Sequence, residues 1–215
     1  MSKTYYENQV VQICSEYAGI AHIGQFRKDG ITPYITHPAR VACLVAYFMR
    51  HSSKWYIYVA AAWLHDVMED CSEIIDGEYS FRINNHDRKN SNLHKFLCIS
   101  NKTITPSDGA MIFELAELLT MSQDKSITKK ERQKVYYEEM RKAEPEVSVI
   151  KYCDRIDNLS TVHIFSKGGF EWYLKETKKM MDTLALVNYT SLYPTHWMLA
   201  GQLEGAKQKY KEMYK

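Results

Sequence analysis

Ala62-Trp-Leu-His65-Asp66-Val-Met-Glu69-Asp70 sets one histidine and three carboxylates at the end of an apolar stretch with helical spacing. Charge placed in such surroundings is costly unless something compensates it, and a bound cation is the usual compensation. Two distant segments complete a pattern. His37 stands in Thr36-His37-Pro38, and Asp154 stands in Lys151-Tyr-Cys-Asp154-Arg-Ile-Asp-Asn158. Two imidazoles and two carboxylates (His37, His65, Asp66 and Asp154) form a mixed nitrogen and oxygen donor set. That set suits a first-row divalent ion such as Mn²⁺, Fe²⁺, Co²⁺ or Zn²⁺. An ion that prefers six ligands keeps positions for water and a substrate oxygen, where it acidifies the water and offsets phosphoryl charge. Glu69 and Asp70, one turn beyond the ligands, are expected to orient that water and take its proton.

Working outward, the chain reads mostly as helix. Val10, Ile13, Tyr17 and Ile20 recur at spacings of three and four within 5–23. Gly24, Gly30 and Pro33 break the pattern. A second helix should open near His37 with Pro38 in its first turn, where a missing N–H costs nothing. The third is expected as one continuous helix over about 54–70. That places His65 with Glu69, and Asp66 with Asp70, four residues apart on one face. Further helices are expected at about 109–120, 128–143, 146–164 and 170–188, and a last one after Pro194 that ends in the charged tail 207–215. On the 146–164 helix, Asp154, Asn158 and Thr161 share a face. Strand signal is scarce, so the expected fold class is an all-α helical bundle, with bundle helices facing their polar patches across the core.

Residues 71–108 interrupt this regularity. Asn84-Asn85-His86-Asp87-Arg88-Lys89-Asn90-Ser91-Asn92 is polar throughout. Loops of this length are commonly functional, so 71–108 is read as an insertion or lid near the site mouth. Short β-like pieces, one hairpin's worth, are expected at 79–83 and 96–99. The whole of 1–215 is expected to form one domain around this insertion.

The composition excludes several classes. With 45% hydrophobic and 25% charged residues, the chain suits a globular protein. A net charge of +2 gives no field favouring nucleic acid or a membrane as partner. Five cysteines, an odd number with no Cys-x-x-Cys, fit a reducing cytoplasm better than a disulfide scaffold. The N-terminal residues lack the apolar region of a signal peptide, and no apolar run reaches membrane-spanning length. Oligomeric state is not legible here.

The loop before His37 supplies cations. Gln25-Phe26-Arg27-Lys28-Asp29-Gly30 sets Arg27, suited to forked phosphate contacts, beside Lys28, a point charge. Each element has a bland reading when taken singly. His65 could be a core histidine bonded to a carbonyl, and Glu69 and Asp70 a solvated helix end. His37 could be a capping residue and Arg27-Lys28 an exposed pair. Asp154 and Asn158 could be buried groups paired with Lys151 or Arg155. Their combination, in this order, favours the site. His22, leading into the basic loop, is expected as a neighbour of it.

His22-Ile-Gly-Gln25-Phe-Arg27-Lys28-Asp-Gly30, then Pro33-Tyr34-Ile-Thr-His37-Pro38 and Val41-Ala42, resemble the start of the hydrolase domain of RelA/SpoT-type alarmone enzymes. The Ala61–Asp70 and Ile150–Thr161 segments continue the resemblance. Its family is the HD-domain superfamily of metal-dependent phosphohydrolases. The resemblance covers most of 3–70 and 146–190. It implies a helical fold that binds Mn²⁺ through His37, His65, Asp66 and Asp154, with Glu69 and Asp70 acting on the nucleophilic water. It implies Arg27, Lys28, Asn158 and Thr161 beside the nucleotide substrate, and removal of the 3′-pyrophosphate of (p)ppGpp. The chain's extent implies the small, stand-alone type. Some relatives of that type remove the 2′-phosphate of NADPH, so NADPH, a dNTP or another signalling nucleotide is the alternative substrate. A degenerate nucleotide-binding protein is the non-enzyme alternative. Four features depart from the family pattern. Asp157 replaces a histidine, Ser160 replaces a basic residue, the loop holding Thr32 is one residue longer, and the stretch after Asp70 is extended. The first two remove or invert positive charge near the expected phosphates.

Overall fold

The structure is a computed structural model that describes residues 2–71, 73–76, 79–82, 92–122, 124–185, 189 and 192–215. In these residues the chain forms α1 (Lys3–Ala21), α2 (Thr36–Met49), α3 (Trp55–Leu64), α4 (Val67–Asp70), α5 (Asn92–Lys95), α6 (Pro106–Leu119), α7 (Lys129–Lys142), α8 (Pro145–Ser160), α9 (Lys167–Leu184) and α10 (Tyr193–Met213). One antiparallel hairpin, β1 (Glu73–Asp76) with β2 (Tyr79–Arg82), joins them, its register set by Glu73 opposite Arg82. The all-α expectation holds, with the hairpin as a small addition. No helix among the described residues is long and apolar enough to cross a membrane.

Local chemistry explains the helix starts. Ser2, Thr105, Thr128 and Ser166 each accept a backbone N–H at the head of α1, α6, α7 and α9. Thr128 and Glu131 form a reciprocal capping box. Pro106 and Pro145 occupy first-turn positions of α6 and α8.

The core is organised around α3. Ile57, Tyr58, Val59, Ala60, Ala61, Ala62 and Leu64 are all buried, so this helix is apolar nearly all round and must be covered on every side. It packs against α1, α2, α6 and α8. α8 is the second buried helix and also contacts α2 and α10. The N-terminus of α2, the C-terminus of α3 and the middle of α8 therefore meet inside the bundle.

Two expectations need correction. The helix expected as continuous over 54–70 stops at Leu64, turns through His65 and Asp66, and restarts as α4. Asp66 sits at φ −98° and ψ −8°, and its carbonyl accepts the amides of Glu69 (3.2 Å) and Asp70 (2.8 Å). The β-like piece expected at 96–99 is instead a π-helical turn over Phe96–Ser100, closed by Asn101 N–H to the Phe96 carbonyl at 3.0 Å. Its apolar residues serve the helical core. Leu93 and Leu97 are fully buried, and Phe96 packs on Tyr17 with ring centroids 4.5 Å apart. Of the 71–108 insertion, residues 72, 77–78 and 83–91 lie outside the described residues.

α6 approaches that π turn at Gly109. A Cβ there would stand 2.3 Å from the Leu97 carbonyl oxygen, so only glycine permits the contact. Gly109→Ala is expected to destabilise the fold by about 1–3 kcal/mol through overpacking, lowering the thermal midpoint by roughly 3–10 °C. Circular-dichroism melting checks this, and an unchanged midpoint would refute the close approach.

Candidate active site

Two helix ends and one helix middle deliver the donor set. His37 lies in the first turn of α2, His65 and Asp66 in the break after α3, and Asp154 mid-way along α8. On an unbroken helix, successive side chains point about 100° apart. The break turns His65 and Asp66 inward together, so His65 Nε2 lies 3.1 Å from Asp66 Oδ2. His37 Nε2 lies 3.4 Å from the same oxygen and 3.2 Å from Asp154 Oδ1. The donor atoms of His37, His65 and Asp154 all fall within 4.8 Å of one another.

The protonation pattern fits a cation. His65 Nδ1 stands 2.7 Å from the Ala62 carbonyl oxygen, which can only accept, so Nδ1 carries a hydrogen and Nε2 is the nitrogen turned to the cluster. That Nε2 is buried and has no hydrogen-bond partner. A buried ring nitrogen left without a partner beside carboxylates is the arrangement a cation between them would satisfy. His37 is arranged likewise, with Nδ1 2.6 Å from Asp157 Oδ2 and Nε2 facing inward. His37, His65 and Asp154 could thus hold a metal ion, with Asp66 Oδ2 beside them.

Electrostatics agree. Burial opposes charge on Asp154, but the Lys151 ammonium, 2.8 Å away, and the two imidazoles hold its carboxyl far below the usual range. Burial likewise opposes Asp66, and His65 and His37 outweigh it. Burial also works against a charged His37, but Asp154, Asp157 and Asp66 push its imidazole up to about 10. Glu69 and Asp70 behave differently. Burial raises both, with neighbouring carboxylates adding to the effect.

Beside the donor cluster opens a cleft of about 590 Å³, a size suited to a small ligand. Arg27, Lys28, Arg40, Asp70, Asn158 and Thr161 are among its walls. Arg27 donates to Asn158 Oδ1 at 2.7 Å, and Asn158 Nδ2 donates to Asp154 Oδ1 at 2.5 Å. One chain of contacts thus links a cleft cation to a donor carboxylate. Lys28 Nζ is held 3.7 Å from the centroid of the Phe165 ring. Glu69 is not among the lining residues; its carboxyl bonds to the Met121 backbone and feels the Lys151 charge.

Several participants were not singled out from sequence. Tyr34 Oη lies 2.8 Å from Asp66 Oδ2 and 2.7 Å from Asp70 Oδ2. A phenol has one hydrogen, so both contacts are satisfied together only when Asp70 bears a proton. Tyr34 stacks on His22 at 4.8 Å, which makes His22 the expected neighbour of the site. Lys151 pairs with Asp154 at 2.8 Å, as the bland reading of Asp154 has it, while the other Asp154 oxygen faces His37. Asp157, expected to invert charge near a phosphate, faces His37 and Arg40 instead. Its position three residues after Asp154, on the adjoining part of α8, was the available signal.

A structure described as a metazoan orthologue of SpoT that hydrolyses ppGpp matches 91% of this chain and 94% of its own, with a TM-score of 0.64 and 22% identity. The chain shares that fold. In sequence it is 25% identical over 181 residues to the guanosine-3′,5′-bis(diphosphate) 3′-pyrophosphohydrolase MESH1 of Drosophila melanogaster, covering 81% of this chain and 84% of that one. Its human counterpart is 26% identical over 179 residues, covering 79% and 83%. The bifunctional (p)ppGpp synthase/hydrolase SpoT of Escherichia coli K12 is 44% identical over 66 residues, which is 30% of this chain and 9% of SpoT. No protein-family profile matches the chain. The likeness is to small alarmone hydrolases along most of the chain, as the motifs implied.

Metal binding at this site must displace the proton that the carboxylates hold on His37. Affinity for a divalent ion such as Mn²⁺ should therefore rise with pH up to and through about 10, where the imidazole gives up its proton, with about one proton released per ion at lower pH. Titration calorimetry of chelator-treated protein in buffers of differing ionisation enthalpy measures that release. Absence of proton release at neutral pH would contradict the arrangement.

Proposed function

We propose that this chain is a metal-dependent (p)ppGpp 3′-pyrophosphohydrolase. The observation that carries the reading is the convergence of His37, His65, Asp66 and Asp154 beside a cleft lined by cations. The likeness to proteins named for this activity supports it. In this reading the four residues hold Mn²⁺. When bound, the ion acidifies a water and offsets phosphoryl charge.

The chain's own residues do the rest. Arg27, fixed by Asn158, and Lys28, held over Phe165, bind the pyrophosphate oxygens and disfavour their release to solvent. Thr161, at the end of α8, offers a hydroxyl to the same region. Asp70 takes the proton of the attacking water at its carboxylate, and Tyr34 keeps that carboxylate aimed beside Asp66. Glu69, one residue earlier, lies off the cleft lining with its carboxyl on the Met121 backbone, so the water's proton passes to Asp70 rather than to it. Water adds to the 3′-phosphoryl phosphorus, the bond to the nucleoside 3′-oxygen breaks, and that oxygen leaves with the proton that Asp70 returns. GDP or GTP and pyrophosphate result.

The 71–108 segment begins directly after Asp70, and we infer that it shapes the substrate end of the site. The five cysteines are free, which supports a reducing cytoplasm as the working compartment.

Incubation of Mn²⁺-loaded protein with ppGpp, NADPH and a dNTP panel, with products resolved by chromatography, tests the reading. GDP and pyrophosphate from ppGpp are expected, and Asp66→Ala should lose at least about 10²-fold in kcat through loss of a metal ligand. Turnover of NADPH or a dNTP alone would overturn the substrate, and no turnover of any of them would overturn the enzyme.

A further inference from the structure

Asp157 is buried and is not among the residues that line the cleft. Its Oδ2 lies 2.6 Å from His37 Nδ1. Arg40 grips the same carboxylate side-on, with Nε 2.5 Å from Oδ1 and NH2 3.2 Å from Oδ2. Arg27 NH2 approaches Oδ2 at 3.9 Å. The carboxylate therefore sits between a histidine that faces the donor cluster and two arginines that face the cleft.

Three consequences follow from this geometry. An ionised carboxylate can only accept, so His37 Nδ1 keeps its hydrogen, and Nε2 is the nitrogen that gives up its proton when an ion enters the cluster. A charged acceptor also makes the imidazole a stronger donor toward an ion. The Arg40 fork fixes the carboxylate's rotation, so the imidazole ring has one orientation rather than two. His65 has only a neutral carbonyl behind it, so the two histidines are not equivalent.

We propose that Asp157 is the positioning residue of the metal centre: it locks His37 in the metal-facing tautomer and, through Arg40 and Arg27, ties that ligand to the phosphate-binding wall. The proposal rests on the metal reading above. It also accounts for an aspartate where the resembling family has a histidine. The negative charge is matched by Arg40 and leaves the cleft cationic.

The test measures Mn²⁺ binding by titration calorimetry on wild type, Asp157→Asn and Asp157→Ala, with thermal melting of each metal-free protein as the folding control. Asp157→Ala should weaken Mn²⁺ binding by about 10–100-fold. Asp157→Asn, whose side-chain carbonyl still accepts from Nδ1–H, should fall between it and wild type. With the diamagnetic ion Zn²⁺ bound, imidazole ¹⁵N spectra should show His37 with its hydrogen on Nδ1 alone in wild type and a mixture of ring states in Asp157→Ala. If Asp157→Asn, folded, binds Mn²⁺ as poorly as Asp157→Ala, or if both bind as tightly as wild type, the positioning role is overturned. If wild type itself binds no Mn²⁺, the metal reading fails, and this inference fails with it.

Discussion

Everything in this molecule bends around the need to place one positive charge among His37, His65, Asp66 and Asp154. Two imidazoles and the Asp154 carboxylate meet within 4.8 Å, with Asp66 Oδ2 3.4 and 3.1 Å from the two rings. Without a cation among them, the cluster is held by the proton on His37 and by Lys151 behind Asp154. The fold accepts this conflict at its centre, where α2, α3 and α8 converge, because those helices are the most deeply packed. The break after Leu64 is the local cost, giving up helical continuity so that two consecutive side chains face one point.

Around the donors lies a second set of contacts that divides the charge. Lys151 neutralises the outer oxygen of Asp154, and Asn158 engages the inner one. Asp157 stands behind His37 and is itself matched by Arg40. Asn158 continues to Arg27, so the cleft cations are fixed by the same residues that fix the donors. Cleft wall and donor cluster are one hydrogen-bonded unit, and a displacement at either end is felt at the other.

Much of this was legible from residue order. The amphipathic spacing of Val10, Ile13 and Tyr17 marked α1, and the helix expected over about 146–164 is α8, which starts one residue earlier and ends at Ser160. The four donors and the Arg27–Lys28 loop stood out because charge in apolar context is informative. Periodicity failed at 62–70 because a break of two residues leaves the spacing of apolar positions intact. It failed at Phe96–Ser100 because a short apolar run fits a strand and a buried turn equally well. Tyr34 and Arg40 read as ordinary loop and helix-surface residues, since nothing local marks a phenol or guanidinium as facing a carboxylate from another helix.

The sequence by itself determined the donor types, the helical class and the presence of a cationic loop, because each rests on neighbours within a few positions. Tertiary structure alone decided who stands behind whom. His37 and Asp157 are 120 residues apart, and Arg27 and Asn158 are 131 apart. Such pairs are set by which faces of α2 and α8 meet when the apolar α3 is buried, and that outcome belongs to the packing of the whole chain rather than to any segment of it.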